Sequence, residues 1–331
     1  LLLLDLGDKV LVGVAGEQPP LRGVEEHEGH KEVGADELEK AIRDEGIPGA
    51  ARAKLLELYV GRESKGLEGV LVELSGMKND ALALEAMRRL VVSGSGQALV
   101  AVKKAIASDS IRRQQEGWTL AGVVESPHAA TLIREGVDAL VGSLGKSPVA
   151  LEVLAVARES EDPKVREALE AYDSAVAASD DPLAPMNPSL LGGDRRKGGQ
   201  LFGSHPGGQC MRCHISYGEQ KEGMAGPSLV GVASRGDRRF LLESLVDPSA
   251  VVATGYGVVS VQLKDGSTVG GMLESEDDQK VVLSIAGETR TIERKDIESM
   301  TDAVSSMPPM GALLKPGELR DLVAWLSNLK K

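Results

Sequence analysis

Apolar residues recur at helical period through the first half of the chain. In 79–92, NDALALEAMRRLVV, Leu84, Met87, Leu90 and Val91 share one face. The same pattern continues from Asp36 to Ala178 and resolves into helix pairs: 48–60 with 64–75, 79–92 with 96–108, 110–125 with 128–143, and 147–160 with 162–176. The first helices begin near 48, 79, 110 and 147, a period of about 31 to 37 residues. Asn79, Ser110 and Asp162 stand where N-caps belong, and Pro48, Pro127, Pro148 and Pro163 fit first-turn positions. One pair cannot bury its apolar face alone, so pairs at this period predict an α-solenoid over 36–178.

After Ala178 the period is lost. SDDPLAPMNPSLLG (179–192) has Pro182, Pro185 and Pro188, which exclude an α-helix and predict an extended linker. Helical pattern returns at 194–203, at 238–252 up to Asp247-Pro248, and in GELRDLVAWLSNLK at the end. Between them, 257–300 alternates at period two. It predicts strands at 257–263, 268–274, 280–285, 289–292 and 297–300, with turns at Asp265-Gly266, Asp277-Asp278 and Gly287-Glu288. The LKDG…G pattern of this β insertion resembles a small SH3-like or Sm-like barrel, which implies partner docking, shielding of one edge of a bound group or plain stabilisation. The helix pairs resemble HEAT repeats, which implies a concave binding surface, a spacer or a scaffold.

Residues 1–35 read as a strand and loop remnant of an upstream region, with DKVLVGVAG (8–16) as the strand. LLLLDL lacks a charged n-region and is too short for a signal peptide, and no Met begins the chain, so a mature or truncated product is expected. His27 and His30 offer two metal ligands without an obvious third, and a solvated loop is favoured there.

The chain has 331 residues, 42% hydrophobic and 27% charged, enough for two or three domains. Its net charge of −12 disfavours nucleic acid and anionic membrane surfaces, and no apolar run reaches transmembrane length. Of eight aromatic residues, Phe202, Tyr217, Phe240, Tyr256 and Trp325 lie late in the chain, which predicts different cores in the two halves.

The only two cysteines lie in Cys210-Met211-Arg212-Cys213-His214. A CxxC pair serves as a redox disulfide, half of a zinc site, or a haem attachment. Zinc wants two more ligands at similar spacing, and a thioredoxin-like pair has no need of the histidine. CxxCH is the pattern for covalent c-type haem, with the imidazole against the iron.

The flanks carry more. GDRRKGGQLFGSHPGGQCMRCH (193–214), GPSLVGVASR (226–235), SSMPPMG (305–311) and the final helix together resemble class I cytochrome c, in the longer form typical of planctomycete and verrucomicrobial proteins. The resemblance covers 193–331 and implies an all-α domain interrupted by the β insertion, in a mainly α chain. It implies one haem c tethered by Cys210 and Cys213 and ligated by His214. It further implies Pro227 as acceptor for the imidazole N–H, Gly226 as the residue that lets that backbone approach, and Met307 as the sixth ligand, with Met310 the alternative. His205 is a further candidate, but lies too close to the motif to reach the opposite face. Gly198 corresponds to the small residue where the first and last helices cross, beside Phe202 and Trp325.

These features imply an electron-transfer protein that exchanges single electrons with redox donor and acceptor proteins, the donor a dehydrogenase domain or enzyme, in the periplasm or another extracytoplasmic compartment. Its rivals are a haem enzyme or gas sensor with a labile sixth ligand, and a solenoid binding scaffold. No triad, metal–carboxylate set or nucleotide loop marks the chain as an enzyme by itself.

Overall fold

Local sequence signals explain most of the helix starts. The computed structural model describes residues 2–5, 10–13, 33–62, 66–219 and 224–330. His27, His30 and the rest of the expected strand beyond Val10–Gly13 lie outside those residues. About half of the chain is helical, and the later part adds a six-stranded antiparallel sheet. The chain divides into two compact units, Leu1–Ile133 and Arg134–Lys331.

In the first unit, β1 (Leu2–Asp5) pairs antiparallel with β2 (Val10–Gly13). Six helices follow: α1 (Ala35–Arg43), α2 (Gly49–Val60), α3 (Leu67–Ser75), α4 (Asp80–Val92), α5 (Ala98–Ile106) and α6 (Ile111–Ala121). They pack as α1 on α2, α3 on α4 and α5 on α6, with α4 also touching α2 and α6. Ile42, Leu55, Leu74, Leu82, Leu90 and Val102 are fully buried in these contacts. Asn79 and Ser110 cap α4 and α6, accepting from the backbone N–H of Leu82 and Arg113. Pro48 is itself the residue before α2, one position earlier than expected.

Helix α7 (Ala129–Val141) carries the division between the units. In the second unit, α8 (Ala150–Glu159) and α9 (Pro163–Ala177) pack together, and α9 begins with Pro163 behind the Asp162 cap. The expected extended linker is instead a buried turn of 3₁₀ helix, Ala184–Ser189. The prolines permit it because the non-proline N–H groups make its short bonds, Ala184 to Asp181 and Met186 to Leu183. Asn187 and Ser189 are each 1% exposed, and Ser189 Oγ donates to the Pro316 carbonyl.

Three more helices, α10 (Arg195–Ser204), α11 (Arg238–Val246) and α12 (Pro316–Leu326), enclose a core of Phe202, Leu241, Leu242, Leu322 and Val323. Two bidentate ion pairs tie the preceding segment to these helices. Glu152 of α8 holds Arg320 of α12 at 2.7 and 2.9 Å, and Asp181 holds Arg239 of α11 with both bonds at 2.9 Å.

Between α11 and α12 the chain forms β3 (Gly257–Leu263), β4 (Thr268–Glu276), β5 (Lys280–Ile285), β6 (Glu288–Glu293), β7 (Ile297–Met300) and β8 (Val304–Ser305). The order is β6-β5-β4-β3-β7, and β8 also pairs with β3. Alternation puts Val259, Val261, Val281, Leu283 and Ile292 on a buried face. Strand β8 was not expected, since two residues carry no readable alternation.

Candidate functional site

The site is built on the crossing of α10 and α12. A Cβ on Gly198 would lie 2.0 Å from the Asp321 carbonyl oxygen and 2.7 Å from Trp325 Cβ, so only glycine allows this approach. Phe202 and Trp325 stack beside it, ring centroids 4.6 Å apart. The Asp194 side chain caps α10, and the Asp194 N–H donates to Asp321 Oδ1 at 2.7 Å. Hydrogen bonds from the Lys197 and Arg196 N–H groups hold the Asp194 carboxyl below the usual range. Burial pushes the Asp321 carboxyl up.

From the end of α10 the chain turns through His205. Its Nδ1 accepts from the Gly207 and Gly208 N–H groups at 3.2 and 2.9 Å, so the proton sits on Nε2, which faces Glu318 Oε1 at 3.6 Å. Both ring nitrogens of His205 thus serve this turn. Gln209 then takes a left-handed conformation (φ 43°) and starts a 3₁₀ turn over Cys210–Arg212. That turn ends with the His214 N–H on the Cys210 carbonyl at 2.9 Å, which sets the two thiols and the imidazole around one loop.

The loop packs on a second one. The Gly226 N–H donates to the Cys213 carbonyl at 3.0 Å, and the Leu229 N–H to Ile215 at 2.8 Å. These bonds place the Pro227 carbonyl 2.8 Å from His214 Nδ1. A carbonyl only accepts, so Nδ1 carries a proton, which leaves Nε2 as the nitrogen able to act as a ligand. A Cβ on Gly226 would stand 2.6 Å from His214 Cε1, so this residue must be glycine for the imidazole to keep its place.

Cys210, Cys213, His214, Gly226, Pro227, Met307 and Met310 all line one cleft. Its volume of about 220 Å³ exceeds by more than tenfold the ~10–15 Å³ that one water needs, so the cleft is sized for a larger ligand. Its walls are mainly apolar, including Phe202, Leu229, Leu241 and Leu245. The two cysteines form no disulfide, Cys213 is exposed and Cys210 partly buried, and burial pushes the Cys210 thiol up.

The two methionines differ. Met310 is 3% exposed and belongs to the helical core, whereas Met307 is half-buried against its edge. Met307 is positioned by hydroxyls: its N–H donates to Ser305 Oγ at 3.1 Å, and the Ser305 N–H donates to Ser249 Oγ at 3.2 Å.

Sequence reasoning gave no role to Ser249, Ser305, Arg235 or Tyr256, and all but Ser249 line the cleft. Arg235 ends the GPSLVGVASR stretch, which was its available signal, and its guanidinium donates to the Ser228 carbonyl at 2.6 Å. Tyr256 had only its place ahead of the first strand.

The residues brought together are a soft thioether, an imidazole with one nitrogen fixed by a carbonyl, and two thiols three positions apart, all groups able to hold a metal-bearing cofactor. Among the described residues, no group of three or more His, Cys, Asp or Glu side chains forms a bare-ion site. No helix among them is long and apolar enough to cross a membrane. No protein-family model matches the chain, and no curated protein matches it either.

Proposed function

We propose that this chain is an electron-transfer protein carrying one covalently bound haem c. The observation that carries the reading is the His214–Pro227 hydrogen bond at the wall of an apolar cleft that also holds both cysteines and Met307. In this reading Cys210 and Cys213 would tether the group, and His214 Nε2 and Met307 Sδ would be the ligands to its iron. Bound there, haem supplies a one-electron iron couple.

The chain's own residues do the rest. Pro227 fixes the ring plane of His214 and raises its basicity as a ligand. Ser305 and Ser249 hold the Met307 backbone, and Leu241, Leu245 and Phe202 exclude water from the cleft. With both His214 and Met307 as its ligands, the group would supply electron transfer rather than oxygen chemistry.

Residues 193–331 are proposed to form a class I cytochrome c domain with the sheet as an insertion. The close crossing at Gly198 supports this. The helix pairs of 36–178 are proposed to be HEAT-like repeats forming a solenoid. The partners are then single-electron donor and acceptor proteins, a dehydrogenase among the donors. The compartment is periplasmic or otherwise extracytoplasmic, since in the resembled family haem attachment is completed there.

Potentiometric titration of the holoprotein followed by visible absorbance tests the function. The reading expects a single reversible one-electron wave and a reduced protein unchanged by carbon monoxide. A spectrum that shifts under carbon monoxide would favour the sensor or enzyme reading instead.

A further inference from the structure

Outside the cleft, the outer face of the sheet differs from the rest of the surface. Directly opposed residues of antiparallel strands share a face. The register therefore sets Val304, Val258, Met272, Ser284 and Thr289 in one row across β8, β3, β4, β5 and β6. Val304, Val258 and Met272 are 54, 45 and 37% exposed, three apolar side chains side by side in solvent. The neighbouring rows pair Ser260 with Gly270 and Gln262 with Thr268. Charge flanks these rows rather than entering them: Glu274 in the β4 bulge and the opposed pair Lys280 and Glu293 at one end, and Glu298 in the β7 bulge with Lys264 and Asp265 at the other. In a chain that is 27% charged with a net −12, a sheet face of Val, Met, Ser, Thr, Gln and Gly is a marked exception.

That chemistry selects an occupant. An oppositely charged partner finds almost no countercharge on these rows. Two copies of this chain repel over most of their surfaces, because each carries −12, yet meet here without burying like charges. The side chains on these rows are short, so two copies can bring them together about a twofold axis. Five strands at ~4.8 Å and about six residues at ~3.3 Å give roughly 450 Å² per copy. The total of about 900 Å² is below the ~1,200 Å² floor of stable interfaces and falls in the transient class. We infer that two copies of this chain associate weakly and reversibly through the outer face of this sheet. Strand β8 runs from that face to Met307 within two residues of its end, so the second copy docks beside the cleft. The inference does not depend on what the cleft holds.

Sedimentation velocity of the full chain across a concentration series up to about 0.5 mM tests it. The expected result is a concentration-dependent monomer–dimer equilibrium that strengthens from about 0.02 to 0.5 M salt, as the repulsion is screened. Val258→Glu and Met272→Glu should each weaken association about tenfold or more, while Val92→Glu, at an 82% exposed site in the first unit, should not. Because the substituted side chains face solvent, unchanged circular dichroism and melting should confirm folding. A monomer at every concentration overturns the inference, and so does a dimer that either sheet variant leaves intact or that Val92→Glu weakens equally.

Discussion

Gly198→Ala tests the scaffold of the site more sharply than any change in the cleft. The added Cβ would stand 2.0 Å from the Asp321 carbonyl oxygen, 2.6 Å from its carbon and 2.7 Å from Trp325 Cβ. Cβ atoms essentially never come closer than 3.0 Å, so α10 and α12 must part by about 1 Å. A gap of that size forfeits about a quarter to a half of each dispersion contact at the crossing. It also loosens the Phe202–Trp325 stack, worth ~0.5–1.5 kcal/mol, and stretches the Asp194–Asp321 hydrogen bond. Overpacking costs about 1–3 kcal/mol. Alanine returns about 1 kcal/mol of helix propensity. The net loss is about 2 kcal/mol, or roughly 4–8 °C in Tm for a unit of this size. Differential scanning calorimetry of the full chain reads it, with Gly203→Ala as control. Gly203 lies on the same helix, but its added Cβ meets only Met211 Sδ at 3.9 Å, so that variant should hold or gain stability. A Gly198→Ala protein as stable as Gly203→Ala would refute the close crossing.

Other outcomes follow from single contacts. Arg320→Ala strands Glu152, 14% exposed, and should cost about 1.5–3 kcal/mol in the second unit's thermal transition, while Val92→Ala on the first unit's surface should cost almost nothing. Burial raises the Asp321 carboxyl in the fold, so its contribution is present below its ordinary value of 3.8 and is lost as pH rises through the folded value. Asp321→Asn keeps the oxygen that accepts from Asp194 and should therefore stabilise at neutral pH, with no gain below about pH 4 in urea titrations. Met310→Ala should cost about 2–5 kcal/mol as a core truncation. Met307→Ala should cost less stability but, in the haem reading, abolish the methionine–iron charge-transfer band of the oxidised protein. The reverse pattern in those spectra would transfer the ligand to Met310.

Local signals in the sequence translated well into local structure. Asn79, Ser110 and Asp162 have side chains that accept backbone N–H groups one turn ahead, a short-range bond that needs no tertiary context. Period-two alternation located five strands because one face of the sheet is buried. Cys210, Cys213 and His214 could be grouped from sequence because one loop holds them all. What stayed hidden depends on distant chain. Glu152 and Arg320 are 168 residues apart in sequence, and neither residue type announces a partner. The buried 3₁₀ turn at Ala184–Ser189 was hidden because its prolines forbid an α-helix but not a tighter one. Ser249 and Ser305 hold Met307 through hydroxyls that look like any loop serine until β8 forms and brings them together.

The central claim is that Cys210 and Cys213 bind a haem covalently. Intact mass of the denatured holoprotein tests it most directly. The account predicts a gain of one haem that survives denaturation and is lost in the Cys210→Ser, Cys213→Ser double variant. The bare polypeptide mass for protein matured in an extracytoplasmic compartment with active haem attachment would contradict it.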